Sequence, residues 1–275
     1  MAIGAHADDL EIHAGGTLAK YHSLGYEIVY VMATNNMSGS VQEVQPDGST
    51  REFVEPPRQM MARRKRECDL AAAALGTAPI HLDHPQRHCI APNGKDQMEL
   101  RYGCTLPDGV PVDVPTILTA GENKAAIARL ADLILEKDPE CVLTHGICQG
   151  NIEHFATALL VTRAFWLATE KGYPGGLVQW REAHTLHGDF HCRWETHVDY
   201  SGFLDRKMEL IGLHACQMPD TKADDFGHRL LSTWYGKVCG CEAAEVYTWV
   251  RRPLRRDSTG PAFGEFTFEL LQNAR

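Results

Sequence analysis

The chain has no apolar run near the ~18 residues that a membrane-spanning helix needs, and its opening leads into acidic residues, not a basic segment and an apolar export region. The expectation is a cytoplasmic protein that makes no use of a membrane. Positive charge is also in short supply: 27 Lys and Arg against 36 Asp and Glu leave a formal charge of −9. Such a surface repels a phosphate backbone, and the basic clusters "RRKRE" (63–67) and "RRPLRR" (251–256) are short, so no nucleic acid partner is expected. The nine cysteines are odd in number and scattered, unlike a secreted disulfide framework, and are expected to be reduced. Cys239-x-Cys241 has no second pair at zinc-ribbon spacing and reads as two packed helix residues. Internal repeats and low-complexity tracts are missing as well.

What is present is a 275-residue chain, 44% hydrophobic, able to bury a sizeable core. "MAIGA" and "EIVYVMAT" are β-rich, and "GGTLAKYHSLG" between them carries helical periodicity, which makes a βαβ unit. Helices over 58–76, 121–138 and 152–172 alternate with strands over 78–83 and 140–146, the last continuously apolar as in parallel sheets. Beyond them the pattern is mixed, with strands near 183–198, 245–252 and 264–270 and helices near 201–214 and 224–240. The predicted fold is α/β: a Rossmann-like, mostly parallel sheet with helices on both faces, plus a mixed α+β C-terminal portion packed on the same domain. We read residues 1–275 as a single domain, with a core over 1–172 and residues 173–275 completing the pocket. Segments 35–57 and 84–120 are too long for plain connections and are candidate pocket walls or lids.

In parallel sheets ligands sit beyond the carboxyl ends of the strands, and "GAHADDLEIHAGG" (4–16) lies at such an end. So does "THGICQGNIEH" (144–154). Catalytic zinc takes three protein ligands from His, Asp or Glu and leaves a position for water. His6 and Asp9 could supply two of them while Asp8 takes the proton of the attacking water. The same residues also allow a purely structural role, Asp8 or Asp9 capping the helix and His6 packed. "GGT" lacks the G-x-G-x-x-G spacing of a phosphate loop. His13, His22 and the histidines from 184 to 197 read as solvated or packed.

"AIGAHADDLEIHAGGTLAKY" resembles the opening of the GlcNAc-phosphatidylinositol de-N-acetylase family, also called PIG-L or LmbE-like, whose usual form is A-H-P-D-D-E before a Gly-Gly helix start. "RKRECDLAAAALG", "PECVLTHGICQGNIEHFATALLV", "VDYSGFLDRKMELIGLHACQ" and "AAEVYTW" resemble its later landmarks in the family's order. The resemblance implies a zinc hydrolase that removes an acyl group, usually acetyl, from an amino sugar. It assigns His6, Asp9 and His154 as Zn2+ ligands, other divalent transition metals fitting the same set, and Asp8 as general base. It places Arg64 toward the sugar, with an Arg64–Glu67 ion pair as the competing explanation. The late element containing His214 and Gln217, with Cys216 in place of the family serine, is taken as structural.

Two departures stand out. Ala7 replaces the family proline, which should change the rigidity of the turn but not ligation. Asn151 replaces a family histidine; it can donate a hydrogen bond to an oxyanion but cannot act as a general acid. Asn151 is expected to cap the helix at Ile152 and so place His154 in its first turn. His84 and His88, in "HLDHPQRH", are candidate substrate contacts. The expected partner is a small N-acylated amino sugar or its glycoside; a homo-oligomer is left open. The alternatives are an amidase on a non-sugar or thiol-conjugate amide, and a metal- or sugar-binding protein impaired in catalysis.

Overall fold

The computed structural model describes residues 1–90, 97–147, 150–181, 194–218 and 227–254. It opens with the expected βαβ unit: β1 (Ala2–Gly4), α1 (Asp9–Ser23) and β2 (Tyr30–Thr34), with Ile3 beside Val31 in a parallel pair. The 35–57 segment is more than a loop, because it carries an antiparallel hairpin of β3 (Val41–Val44) and β4 (Thr50–Phe53). Next come α2 (Pro57–Ala74) and β5 (Pro79–His84). Proline at the first helical position is pre-set for the turn, and Gly76, at φ +70°, closes the helix in a left-handed conformation. The 84–120 segment holds a second hairpin, β6 (His88–Ile90) with β7 (Gln97–Glu99), and the short α3 (Ile117–Ala120).

Then follow α4 (Lys124–Lys137), β8 (Cys141–His145) and α5 (Ile152–Glu170). Asn123 caps α4, its side-chain oxygen accepting from the N–H groups of Ala125 and Ala126 at 3.0 Å. The remaining elements are β9 (Gly176–Trp180), β10 (Thr196–Asp199), α6 (Leu204–Gly212), α7 (His228–Cys239) and β11 (Ala244–Arg251). Strand β9 is absent from the periodicity reading, since "GLVQW" is short and buried throughout. The strand predicted near 264–270, and 183–193 of the one predicted near 183–198, lie outside the described residues. Cys239 ends α7, Gly240 follows at φ +82°, and Cys241 lies beyond the helix, so the two cysteines are not helix neighbours.

The main sheet has the order β10-β11-β9-β8-β1-β2-β5. From β9 to β5 all pairs are parallel, while β11 runs antiparallel to β9 and β10. Side chains alternate between its two faces. Ile3, Val31, Val142 and Leu177 pack with Leu130 and Ile134 of α4 and Leu160 and Phe165 of α5. Their neighbours Ala2, Tyr30, Leu143 and Val178 pack with Leu10 and Leu18 of α1, Cys68 of α2 and Leu210 of α6. Each fully buried Val, Leu, Ile or Phe side chain among them contributes about 1.5–3 kcal/mol. β1 lies between β2 and β8, while α1 covers one face and α5 the other, so the crevice beyond the ends of β1 and β8 is the switch point where such folds bind ligands.

The two glycines of α1 differ in what surrounds them. A Cβ at Gly16 would stand 2.3 Å from the buried Tyr200 ring, whereas one at Gly15 meets Lys207 Cγ at an ordinary 3.4 Å. The missing side chain at Gly16 also accompanies the approach of Glu245, whose carboxylate accepts from Gly16 N–H at 3.0 Å and Thr17 N–H at 2.8 Å. Gly16→Ala should lower stability by about 1–3 kcal/mol through overpacking. Gly15→Ala should leave stability unchanged or raise it by up to about 1 kcal/mol through helix propensity. Urea unfolding of both variants checks the contrast.

Candidate metal and catalytic centre

The turn from β1 into α1 is built to project His6 and Asp9 together. Asp8 sits at φ +99°, a left-handed conformation rare for a residue with a side chain, and its neighbours hold it there. Ala7 N–H donates to Asn36 Oδ1 at 2.7 Å, and Arg64 Nη2 donates to the Ala7 carbonyl. A proline at position 7 has no N–H to give. The departure at Ala7 therefore exchanges ring rigidity for a tether to Asn36, itself at φ +57°.

Asp9 is buried and its two oxygens differ. Oδ2 accepts from His6 backbone N–H at 2.6 Å and lies 3.1 Å from His145 Nε2, while Oδ1 faces His154 Nε2 at 3.3 Å. His6 is divided in the same way: Nε2 donates to Glu153 Oε2 at 2.6 Å, and Nδ1 faces His154 Nε2 at 3.1 Å. Two ring nitrogens so placed need a shared proton or a cation between them. Ligand atoms at ~2.0–2.1 Å from a tetrahedral zinc sit about 3.3 Å apart. The separations of 3.1 and 3.3 Å match that spacing, and the Asp9 oxygen nearer to His6 Nδ1 is Oδ2, at 3.6 Å. The structure thus brings together the three predicted ligands, from segments 148 residues apart.

Neighbouring carboxyls diverge electrostatically. Burial would raise the Asp9 pKa, but the charges of His154 and His145 and their hydrogen bonds outweigh it and hold Asp9 well below the usual range. Asp8 goes the other way: burial raises it, the Asp9 charge adds to this, and Arg64 only partly compensates. Arg64 Nη2 lies 3.3 Å from Asp8 Oδ2, and Glu67 instead receives the N–H and thiol of Cys216, each at 2.9 Å. The competing Arg64–Glu67 pair is therefore not the arrangement found. The capping alternative also fails for Asp8, which makes no side-chain cap bond to α1.

Asn151 caps α5 as expected, Oδ1 accepting from Glu153 N–H at 2.9 Å, which leaves its amide N–H groups as donors. His84 Nδ1 is bonded to the Pro115 carbonyl at 2.9 Å, and His88 opens β6. From that segment Gln86 and Arg87 reach the centre, Gln86 Nε2 and Arg87 N–H donating to Glu153 at 3.1 and 2.6 Å. Glu153, His145, Gln86 and Trp180 were not singled out in the sequence. Adjacency to His154 and to the end of β8 was the available signal for the first two. His214 and Gln217 do play a structural part, His214 Nε2 bonding Glu11 at 2.9 Å and Gln217 donating to the Ser40 carbonyl at 2.6 Å.

A second cluster, His13, His145 and His154, also has donor atoms within 4.8 Å of one another. His145 is poorly suited to ligation there, because Nδ1 accepts from Trp180 Nε1–H at 3.2 Å and Nε2 is engaged by Asp9. The set with the carboxylate is the better cation site.

Fold and site together define an α/β protein with a buried His2Asp cluster at the switch point of a mostly parallel sheet. The model of the GlcNAc-PI de-N-acetylase (PIG-L) family matches residues 1–165, and the chain belongs to that family. It is 29% identical over 191 residues to the 1D-myo-inositol 2-acetamido-2-deoxy-alpha-D-glucopyranoside deacetylase of Kineococcus radiotolerans, covering 66% of this chain and 49% of the relative. The chain thus spans about half of that relative's length. The fold is similar to that of N,N'-diacetylchitobiose deacetylase from Pyrococcus horikoshii, with a TM-score of 0.63 at 17% identity, covering 91% of this chain and 82% of the other. It is equally similar to 4-carboxy-2-hydroxymuconate hydratase from Pseudomonas putida KT2440, with a TM-score of 0.64 at 19% identity, covering 93% and 97%. Deacetylases and a hydratase share this fold, so the fold does not choose the reaction.

Glu153 makes the centre acid-sensitive. Burial opposes its ionisation, yet hydrogen bonds from His6, Arg87 and Gln86 bring its pKa down from 4.5 to about 2. A depressed carboxyl stabilises the fold above its unfolded pKa and loses that contribution as pH falls through the folded value. Metal-free protein should therefore lose on the order of 3 kcal/mol between about pH 4.5 and 2 through this group. In Glu153→Gln that part of the slope should be absent, as urea unfolding across this pH range would show.

Proposed function

We propose that this chain is a divalent-metal-dependent hydrolase, with zinc as the best-suited ion, that removes the acetyl group from a small N-acetylglucosamine-type sugar or its glycoside. The observation that carries the proposal is the convergence of His6 Nδ1, Asp9 and His154 Nε2 at tetrahedral ligand spacing, directly beside a partly buried carboxyl, Asp8, raised above its usual pKa. Support for the substrate class comes from the family and from relatives named as deacetylases of acetamido sugars. The donor set of two imidazoles and one carboxylate suits zinc and leaves room for substrate and water. A bound ion supplies Lewis-acid polarisation of the amide carbonyl and makes water a better acid.

The chain's own residues would do the rest. Asp8 takes the proton of the attacking water, and its raised pKa brings it nearer the working pH of a general base. Once protonated it is the group that can return the proton to the departing amine, a step Asn151 cannot perform. Arg64, buried against Asp8 and the Ala7 carbonyl, holds that carboxyl in place. The amide N–H groups of Asn151 are donors suited to the carbonyl oxygen as it gains charge.

Purified protein should contain about one zinc per chain, and His154→Ala should lose it, as metal analysis by mass spectrometry will show. Wild type should release acetate from N-acetylglucosamine derivatives, and a chelator should stop it. Asp8→Asn should keep the metal while kcat/KM falls by roughly 10²–10⁴-fold. Metal bound without acetate release would overturn the sugar deacetylase reading in favour of another amide or an inactive binder. Metal retained in His154→Ala would overturn the site.

A further inference from the structure

Behind the three proposed ligands lies a contact chain that uses two buried side chains to which the proposed reaction gives no role. His145 ends β8 and Trp180 ends β9, and the two are register partners across the parallel pair. Both are buried to 1% exposure or less. The indole N–H is a donor only and lies 3.2 Å from His145 Nδ1, so that nitrogen must accept. The ring proton then belongs on Nε2, which lies 3.1 Å from Asp9 Oδ2. Ala5 backbone N–H approaches the same nitrogen at 3.1 Å. The carboxylate decides the contest, since the other tautomer would set a lone pair against Asp9 and one N–H against the indole N–H.

With His145 as donor, Oδ2 of Asp9 receives two N–H groups, from His145 and from the His6 backbone. Oδ1 is left toward His154. The His145 ring also stacks on the ring of His154, with centroids 4.1 Å apart and planes at 27°, so one side chain touches two of the three proposed ligands. Trp180 is in turn stacked on His13, with centroids 5.8 Å apart and planes at 13°.

We infer that His145 and Trp180 are positioning residues: Trp180 sets the tautomer of His145, and His145 commits Asp9 to ligate through Oδ1 alone. This rests on the proposed metal set. Partners of this kind behind a ligand are worth about 10–100-fold in metal affinity.

The test is the zinc dissociation constant of the full chain, measured by competition with a chromophoric chelator, in wild type, Trp180→Phe, His145→Phe, His145→Gln and the Phe double variant. His145→Phe keeps a ring but no donor, and zinc binding should weaken by about 10–100-fold. His145→Gln, which restores an N–H, should recover part of that loss. Trp180→Phe should weaken binding by less, and should add nothing in the His145→Phe background, because the two act through one contact. The visible spectrum of the cobalt-loaded protein should change in His145→Phe, as the second Asp9 oxygen is released. Unchanged zinc affinity in His145→Phe, with only a lower unfolding midpoint, would show a structural role and overturn the inference. Additive losses in the double variant would overturn the tautomer relay. Wild type that binds no zinc would overturn the metal reading and this inference together, whereas wild type and His145→Phe binding equally tightly would overturn this inference alone.

Discussion

The carboxylate of Asp9 is the point on which the centre depends. It lies buried beside a second, partly buried acid, and two adjacent carboxyls held away from water repel each other unless their surroundings are made unequal. The inequality is built from both sides. Asp9 is surrounded by the His6 backbone N–H and the rings of His145 and His154, which keep it ionised. Asp8, turned outward by its left-handed backbone, meets Arg64 as its main counter-charge and retains affinity for a proton. One side chain is thereby suited to hold a cation and its neighbour to move protons, and the difference comes from the folding of a single turn.

That turn is held by residues far from it in sequence. Asn36, which follows β2, grips Ala7, Arg64 of α2 grips the Ala7 carbonyl and Asp8, and His145 of β8 grips Asp9. Asn36 and His145 come from the carboxyl ends of the two strands that flank β1 and Arg64 from α2, a convergence that the switch point of a parallel sheet provides. The hairpin segments contribute as well, since Gln86 and Arg87 hold Glu153 and Glu153 holds His6.

Much of this was legible in the sequence because strand and helix periods are strong signals. The strands of the βαβ opening, α2, α4, α5 and β8 were found close to their observed limits, although α1 begins at Asp9, six residues before the stretch read as helical, and the proposed ligand residues stood out through residue types and motif order. The omissions have physical causes. The hairpins at 41–53 and 88–99 are short, and exposed along much of their length, so they carry little apolar alternation against a polar background. Strand β9 is five residues buried on both faces, which leaves no period to detect. His145 was passed over because a single sequence does not show which ring nitrogen meets which neighbour. His84 attracted attention by its chemistry, yet its Nδ1 is engaged by the Pro115 carbonyl, a contact formed between segments about 30 residues apart.

The way Glu245 reaches α1 has a bearing on the order in which the molecule can assemble. Its carboxylate binds Gly16 and Thr17 of α1 and, at 2.7 Å, the ammonium of Lys207, all in the interior. During synthesis the first helix therefore emerges more than 200 residues before the strand that satisfies it. Likewise β1 has its β8 neighbour only after about 140 residues have followed. Pairings this distant make folding slow and leave apolar faces waiting in the meantime. The residues that match the family model end at position 165, before β9, β11 and Glu245. The stretch that the family model matches and the unit that must close around the first helix are thus not the same length, and the nascent chain carries its opening motif long before it can use it.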